Sequence, residues 1–509
     1  MKLSRLVRTS AEVAGTRSRK AKIALLAELL VELEGDDVEI GVAFLSGELR
    51  QGKVGVGWAL VRDARPDEAA AAASLALADV DAACTELQSI SGAGSKARRT
   101  ERLRALFAAA AEDEQAFLGK LMVGELRQGA LEGILLEGVA AAAGLDAARV
   151  RRAAMLGGSL RDVATAAMTA GEAGLDRFAL EVLRPLQPML AGTGASAAEV
   201  LGKLGRAAFE WKLDGARLQV HRRGDVVRAF TRRLHDVTRA VPEVVETVAA
   251  FDAQELILDG EVIAFAPDGR PQPFQVTMSR FGRKLNVDEQ RARTPLTPVF
   301  FDALLVDGVE LLDLPGEQRW EALARLVPEE LRVQRMVTGD ADEAEAFFAE
   351  ALDRGHEGLV AKALDAGYEA GRRGAKWLKL KPAHTLDLVV LAAEWGSGRR
   401  EGWLSNLHLG ARDPAGGFVM LGKTFKGMTD ETLKRQTAEL LAIETRREDY
   451  VVHVRPEKVV EIAFDGIQAS PHYPGGVALR FARLKRYRDD KTAAEADTID
   501  AVRALGDAR

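Results

Sequence analysis

Cysteine is almost absent from this sequence of 509 residues, which contains one, Cys84. A single cysteine excludes an internal disulfide and any zinc site built from several thiolates, and it suits a reducing, cytoplasmic location. Long apolar runs are also missing, because no uncharged stretch approaches the ~20 residues that cross a bilayer, so no membrane contact is expected. The basic start of the chain is soon interrupted by glutamate and predicts a helix rather than a signal peptide.

An excess of positive charge is missing as well. The chain has 70 Lys and Arg residues against 76 Asp and Glu residues, and its formal net charge is −6. Any nucleic-acid face must therefore come from local basic clusters rather than from global attraction. With 47% apolar and 29% charged residues the composition is globular. The length predicts about three domains.

Residues 1–190 are rich in Ala, Leu, Glu and Arg, and apolar residues recur at helical spacing, which predicts an all-α domain. The hexapeptide GELRQG occurs twice in this region, at 47–52 and 124–129. The repeat has two possible interpretations. Either two related halves each present an Arg-Gln-Gly loop to one extended ligand, or Gly52 and Gly129 end two helices.

Two prolines and two glycines in residues 183–196 place the first domain boundary, and we predict domains at 1–190, 191–384 and 385–509. The middle region alternates short strands with helices, which predicts an α+β fold with antiparallel sheets. Strands dominate the last region, with one helix near 430–444, which predicts a small β-barrel of the OB type. The fold class is therefore multidomain, with an α, an α+β and a β-barrel part.

The segment from Glu210 to Arg217 reads EWKLDGAR and places a lysine before an Asp-Gly turn between two strand-like runs. Lys212 could be presented there as a nucleophile. A lysine attacks only when its amine is neutral, which requires desolvation or neighbouring cations. The string alone is a weak signal, since a surface Asp-Gly turn has the same sequence.

Further charged and aromatic elements follow this segment in a fixed order. They combine cations, which stabilise charge on phosphate oxygens, with carboxylates, which suit Mg²⁺ better than zinc. These elements are FTRR (230–233), LDGEV (258–262), FFDAL (300–304), HEGLVAK (356–362), RRGAKWLKLKP (372–382) and RFARLKRYRDDK (480–491).

In this order and spacing the elements resemble the covalent nucleotidyltransferase superfamily, and specifically the ATP-dependent DNA ligases. The resemblance covers residues from about 40 to the C-terminus. It implies that Lys212 takes AMP in a phosphoramidate and that Glu210 recognises the adenine amino group. It further implies ribose and phosphate contacts by Arg217 and Arg232, metal binding by Glu261 and Glu357, base stacking by Phe301, and phosphate binding by Lys362, Arg373, Lys379 and Lys381. Arg372 fits the composition as well as Arg373, which is preferred on motif spacing.

The C-terminal run is similar to the ligase motif that orients the pyrophosphate leaving group. Its matching positions are Arg480, Arg483, Arg488, Asp490 and Lys491. They lie more than 250 residues beyond Lys212, so the resemblance implies that the OB domain closes over the core. Two departures from the family pattern, Arg233 in place of Asn and RFAR in place of RFPR, put individual contacts in doubt but not the assignment.

The resemblance implies an enzyme that seals nicks in duplex DNA with ATP and Mg²⁺, and Mn²⁺ is expected to substitute for Mg²⁺. Among these ligases the sequence most resembles the compact three-domain type, particularly an actinobacterial accessory ligase. A monomer is expected, with a sliding clamp or repair proteins as further candidate partners. An RNA ligase or capping enzyme would share the core, but a capping enzyme is not expected to carry ~190 helical residues ahead of it. A non-catalytic DNA-binding protein is the remaining alternative. The NAD-dependent ligases carry a four-cysteine zinc finger, which Cys84 alone excludes.

Overall fold

The structure, a computed structural model, describes residues 1–126, 132–157, 159–282, 286–369, 373–382, 384–397 and 400–507. The chain divides into two compact units. The first contains Met1–Thr193, Val200–Ala341 and Val360–Leu378, and the second contains Gly194–Glu199, Asp342–Leu359 and Lys379–Arg509. The predicted domain boundaries near 190 and 384 remain predictions.

Helices make up the first part of unit one, as the apolar periodicity predicts. Their apolar faces share one core, in which Leu6, Leu30, Phe44 and Phe107 are buried. The helices are α1 (Leu3–Gly15), α2 (Arg19–Val31), α3 (Asp36–Ser46), α4 (Trp58–Ala64), α5 (Leu77–Ser89), α6 (Ser95–Ala108), α7 (Glu112–Met122), α8 (Glu132–Ala143), α9 (Ala147–Gly157) and α10 (Leu160–Leu175).

The repeated hexapeptide GELRQG ends helices at its first glycine, not at its last. Gly47 follows α3 with φ 80°, and Gly124 follows α7 with φ 73°, the left-handed conformation that glycine adopts at low cost. The expectation that Gly52 ends a helix is wrong, because it closes a turn by donating its N–H to Leu49. Gly129, with Arg127 and Gln128 of the second copy, lies outside the described residues.

In the first copy of the repeat, the Arg-Gln pair is used within the helical region itself. The Arg50 guanidinium donates to the nearly buried Asp81 (Nε to Oδ1 2.9 Å). The Gln51 amide donates to the Asp81 backbone at 3.1 Å and to Thr85 at 2.9 Å. This loop is therefore held against α5 by its own side chains.

The middle region contains two sheets, and the predicted antiparallel pairing is confirmed for the pairs β3–β4, β3–β5, β5–β6 and β2–β8. One sheet has the strand order β4-β3-β5-β6-β7 and the other β1-β10-β9-β2-β8. The strands are β1 (Leu190–Thr193), β2 (Ala207–Trp211), β3 (Ala216–Arg223), β4 (Val226–Thr231), β5 (Glu255–Ile263), β6 (Thr297–Val306), β7 (Val309–Glu310), β8 (Arg335–Thr338), β9 (Leu359–Ala363) and β10 (Arg373–Leu380). The accompanying helices are α11 (Ala197–Leu204), α12 (Pro242–Ala249), α13 (Phe274–Phe281), α14 (Val287–Arg293), α15 (Gly316–Leu326) and α16 (Ala341–Asp353).

The second unit is rich in strands and contains the OB domain. The long strand β11 pairs with β16 along its first half and with β15 along its second half, while β12 covers its other edge. The elements are β11 (His384–Trp395), β12 (Leu404–Arg412), β13 (Phe418–Thr424), α17 (Asp430–Ala442), β14 (Glu444–Glu448), β15 (Val451–Val454), β16 (Val459–Phe464), β17 (Gly466–Ala469), β18 (Val477–Arg480), β19 (Arg483–Tyr487) and α18 (Ile499–Asp507). Helix α17 is the helix predicted near 430–444.

One stretch of this unit, GFVMLGKT at 417–424, matches the spacing of a P-loop. A P-loop is a turn that enters a helix, whereas these residues form strand β13, and the Lys423 ammonium pairs with Glu394. The match is therefore fortuitous. None of the described helices combines the length and the apolar composition needed to cross a bilayer.

The segment between α10 and β1 is held on β3 by a buried histidine and glutamine. His221 accepts the Leu183 N–H at Nδ1 (3.0 Å), so its Nε2 carries the proton and donates to the Gln219 side chain at 2.8 Å. Gln219 in turn accepts the Leu186 N–H at 2.9 Å. Burial lowers the pKa of His221 to about 3, so the ring is neutral at physiological pH.

We expect the segment around Leu183 to loosen in acid because of His221. The unfolded histidine binds a proton below about pH 6.5, whereas the folded one stays neutral down to about pH 3. Stability is therefore lost as the pH falls through this window, by about 2 kcal/mol at pH 5. Hydrogen exchange of peptides spanning 182–189 at pH 5 and pH 7 measures the effect. In His221→Asn, which has no ring to protonate, the faster exchange of these peptides at pH 5 that is due to His221 should disappear. If the variant kept the same difference in protection between pH 5 and pH 7, His221 would not be its cause.

Candidate functional site

Lys212 directly follows strand β2 and begins a tight turn into β3. A Cβ on Gly215 would lie 2.3 Å from the Val262 carbonyl oxygen, so the close approach of this turn to β5 requires glycine. The Lys212 side chain is half-buried, and its Nζ lies 3.4 Å from the Leu213 carbonyl oxygen. The Asp-Gly turn is therefore packed on a neighbouring strand, unlike a plain surface turn.

Two residues before Lys212, the carboxylate of Glu210 is buried between cations from the strands on either side of β2. Lys362 on β9 donates to Glu210 Oε2 at 2.6 Å. Arg335 on β8 lies opposite Glu210 in the strand register, with its Nε 3.9 Å from Oε1. Burial raises the pKa of Glu210, while Lys362 and then Arg335 oppose that shift.

Aromatic rings surround these charged groups. Phe301 lies 4.7 Å from the Lys362 ammonium, and Trp377 lies 4.4 Å from it. Trp320 lies under the Arg335 guanidinium at 4.4 Å. Such contacts attract cations and also provide flat apolar faces on which a planar ligand can stack. Together with Glu210, Lys362 and Arg335, both Phe301 and Trp320 line a small pocket.

Arg217 is the centre of a second buried network. It donates to both Asp259 carboxylate oxygens (3.0 and 2.6 Å) and to the Met189 carbonyl oxygen at 2.7 Å. The Tyr368 hydroxyl donates to Asp259 at 2.7 Å and accepts the Met189 N–H at 3.0 Å. The pKa of Tyr368 is raised well above its usual value by burial and by the Asp259 charge, so the hydroxyl remains a donor.

Asp259, Asp302, Arg319, Arg335 and Tyr368 were not among the predicted site residues. Asp259 could have capped a turn, but it lies in the middle of β5 and binds Arg217. Arg319 and Asp302 form a buried ion pair at 2.8 Å, and both residues line the pocket. Asp259 and Asp302 lie in the LDGEV and FFDAL elements, whereas Arg319, Arg335 and Tyr368 lie in none of the sequence elements.

Two further predicted residues of the first unit are Glu261 and Arg232. Glu261 on β5 is half-buried and lies opposite Arg217 in the strand register. Arg232 is exposed just beyond β4. Among the described residues, no group of three or more His, Cys, Asp or Glu side chains is arranged to hold a metal ion.

In the second unit, four predicted residues come together: Glu357, Lys381, Arg480 and Arg483. Lys381 Nζ lies 2.8 Å from Glu357 and 3.4 Å from Asp465, and Arg480 lies 3.9 Å from Glu357. Asp465, which was not predicted, also accepts from Arg483 at 2.9 Å.

The end of the C-terminal motif forms a separate cluster on β11. Arg488 donates to Asp387 at 2.9 Å and to Asp490 at 2.7 Å, and Lys491 donates to Asp387 at 2.6 Å. The Arg488 hydrogen bond lowers the pKa of Asp490. Lys379 lies near the end of β10, and Arg373 begins that strand, but the Arg373 side chain and all of Arg372 lie outside the described part.

Comparison with known proteins assigns the chain to a family. Three family models match it in sequence order: DNA ligase N terminus at residues 59–140, ATP dependent DNA ligase domain at 188–381, and ATP dependent DNA ligase C terminal region at 400–491. The chain belongs to the ATP-dependent DNA ligase family. It is 59% identical over 99% of both chains to a probable DNA ligase of Anaeromyxobacter dehalogenans, and 57% identical over 97% of both chains to one of Mycolicibacterium gilvum.

The ligase fold is also seen in a solved structure named Pmar-Lig_Pre. It superposes with a TM-score of 0.66 over 95% of this chain and 99% of the other, at 18% identity. The predicted family and its three-part architecture are thus confirmed, including the similarity to actinobacterial ligases.

In this ligase we expect Tyr368→Phe to weaken the use of ATP while leaving Lys212 in place. The change leaves the buried Met189 N–H without its acceptor and removes one of the groups that hold Asp259 and Arg217. The apparent KM for ATP in self-adenylation should rise several-fold, with a stability loss of about 1–3 kcal/mol. Labelled AMP incorporation against ATP concentration measures the first effect, and thermal unfolding measures the second. Tyr450→Phe, at a site 58% exposed, is the matched control; equal behaviour of the two variants would contradict the role of Tyr368.

Proposed function

We propose that this ligase seals nicks in duplex DNA through an AMP adduct on Lys212. The observation that carries the proposal is the placement of Lys212 at the end of β2, two residues beyond the buried Glu210 and its flanking cations. A lysine beside a pocket with aromatic walls and a buried carboxylate suits attack on a purine nucleotide. Glu210 would accept the adenine amino group, and Phe301 would stack on the ring.

In the first step the neutral Lys212 amine attacks the α-phosphorus of ATP. A P–N bond forms, the P–O bond to pyrophosphate breaks, and the amine proton leaves to solvent. In the second step a 5′-phosphate oxygen of DNA attacks the same phosphorus. A P–O bond forms, the P–N bond to Lys212 breaks, and the released amine takes up a proton from solvent. In the third step the 3′-hydroxyl oxygen attacks the phosphorus of the DNA 5′-phosphate. A phosphodiester bond forms, the bond to AMP breaks, and the hydroxyl proton leaves to solvent.

Cations stabilise the charge that develops on the phosphate oxygens in each step. Lys362, Lys379, Lys381 and Arg373 are assigned this role by the family motifs, with Arg217 and Arg232 on ribose and phosphate. Lys381 and Arg480 support this role by their position, because both lie at the Glu357 carboxylate and so form one cluster of cations. The C-terminal motif at 480–491, which begins with Arg480, is proposed to orient pyrophosphate in the first step.

Glu261 and Glu357 are each assigned to magnesium binding by the family motifs, and the oxygen donors of each side chain fit Mg²⁺. Mg²⁺ is usually held by one or two carboxylates plus substrate phosphates, which agrees with the lack of a preformed cluster of three ligands among the described residues. When bound, Mg²⁺ neutralises charge on the phosphates and thereby favours departure of pyrophosphate. Mn²⁺ has similar oxygen preferences and should substitute.

Nicked double-stranded DNA is the proposed partner, in place of RNA or a cap structure. The match of residues 59–140 to the DNA ligase N terminus supports DNA, since this helical region precedes the catalytic core. Because the net charge is −6, binding has to rely on local basic clusters and phosphate contacts, and it should weaken steeply with salt.

Substituting Lys212 tests the nucleophile directly. Lys212→Ala should show no covalent AMP and no sealing from ATP. Lys212→Arg should fail equally, because the guanidinium keeps a charge but stays protonated. The measurement is transfer of label from α-labelled ATP to denatured protein, with Lys120→Ala on α7 as the control. Labelling of either Lys212 variant would show that another residue is the nucleophile.

Arg480 is expected to act only in the first step. Arg480→Ala should lose formation of the AMP adduct but still seal a nick that already carries a 5′-adenylate, because no pyrophosphate leaves in that reaction. Arg486→Ala on β19, an exposed arginine paired with Glu461, is the matched control and should retain both reactions. If Arg480→Ala lost both reactions to the same degree, Arg480 would instead be a DNA contact.

A further inference from the structure

Arg335 is a buried cation that lies in none of the ligase motifs. It occupies the position on β8 directly opposite Glu210 on β2, and Lys362 faces the same carboxylate from β9 on the other side. Adjacent strands of one sheet thus present a row of three charged side chains, with a single carboxylate between two cations. All three side chains are at least nine-tenths buried.

The two cations differ in how fully they are bonded. The Lys362 ammonium donates to Glu210 at 2.6 Å and to the Phe301 carbonyl oxygen at 2.9 Å. The Arg335 Nε lies 3.9 Å from Glu210, beyond hydrogen-bond distance, and it has no hydrogen-bond partner among the described residues. A buried N–H donor without a partner is costly, and for a charged group the cost is larger.

The Arg335 guanidinium is also held in place. It lies 4.4 Å from the Trp320 ring, and its side chain is 8% exposed. Arginine does not lose its proton in proteins, so the uncompensated donor cannot be removed by a change of charge. Because Arg335, Glu210, Trp320 and Phe301 line the same pocket, a ligand in that pocket can offer an acceptor to the guanidinium.

On the basis of the proposed function, we infer that Arg335 donates a hydrogen bond to the N1 atom of the adenine base. Glu210 accepts a hydrogen bond from the 6-amino group of the same base. Adenine presents a donor and an acceptor side by side on this edge, and Glu210 with Arg335 presents an acceptor and a donor in the matching order. Guanine reverses both groups, since it carries a carbonyl oxygen at position 6 and an N–H at position 1. It would place an oxygen against the carboxylate and a donor against the guanidinium. The pair therefore selects ATP over GTP, because adenine forms two hydrogen bonds with it whereas guanine meets a repulsive contact at both positions.

An ATP analogue that lacks only the N1 acceptor tests this inference. In 1-deaza-ATP a C–H group replaces N1, and the 6-amino group and the triphosphate remain. The full-length wild-type protein should form its AMP adduct with a kcat/KM roughly 10- to 100-fold lower from 1-deaza-ATP than from ATP, the range for a hydrogen bond to a charged donor. Arg335→Met should be impaired with ATP by a similar factor and should use the two nucleotides almost equally.

Three further variants separate base reading from a structural role. Arg335→Lys keeps a charged donor and should retain part of the preference for ATP over 1-deaza-ATP. Arg335→Gln keeps only a neutral amide donor and should retain less of that preference, and it serves as a second probe if the methionine variant does not fold. Lys362→Met should be less active but should keep the wild-type ratio between the nucleotides. Arg325→Met, at an arginine on α15 whose side chain is 80% exposed, is the matched control and should behave as wild type.

The outcomes are distinct from those that test the proposed function. If the wild type takes no label from ATP, the proposed function fails and not the role of Arg335 alone. If the wild type uses 1-deaza-ATP as well as ATP, or if the Arg335 variants keep the wild-type ratio, the inference is wrong. If Lys362→Met used ATP and 1-deaza-ATP equally well while Arg335→Met still preferred ATP, the N1 contact would belong to Lys362 instead, and the inference would be wrong.

Discussion

The site depends on one constraint, the burial of the Glu210 carboxylate at the end of the strand that delivers Lys212. A carboxylate that is 3% exposed must be paired or must take up a proton. Its partners come from β8 and β9, so the order of strands β9-β2-β8 is itself a condition for keeping the charge. Holding Lys362 and Arg335 in place then brings the rings of Phe301 and Trp320 to the same pocket.

A second network ties the exit of the helical region to the same part of the molecule. The segment after α10 is bonded to His221 and Gln219 on β3, and its end, Met189, is bonded by Arg217 and Tyr368. Arg217 is therefore both a predicted nucleotide contact and a structural anchor. Because Asp259 holds the guanidinium with two hydrogen bonds, its position is defined by the sheet before any ligand arrives.

Much of this could be predicted from sequence, because the family motifs are local strings. Lys212, Glu210 and Arg217 fall within eight residues of one another, and the helical and strand regions follow from apolar periodicity. What could not be predicted are partners that strand pairing brings together. Tyr368 lies 109 residues from Asp259 in the chain, and Arg335 pairs with Glu210 only through the register of β2 and β8. Local strings can also mislead. The repeat GELRQG and the string GFVMLGKT each resemble a known pattern, but the helix end or strand that contains them determines their structural role.

Charge balance in the second unit distinguishes the two halves of the C-terminal motif. Arg488 and Lys491 face Asp387 and Asp490, two cations against two carboxylates. Lys381, Arg480 and Arg483 face Glu357 and Asp465, three cations against two carboxylates. A polyanion such as pyrophosphate gains most where cations are in excess and where the carboxylates can instead bind a divalent metal. Within this motif the cluster around Arg480 is therefore better suited to act on phosphate, and the cluster around Asp387 is better suited to hold residues 488–491 on β11.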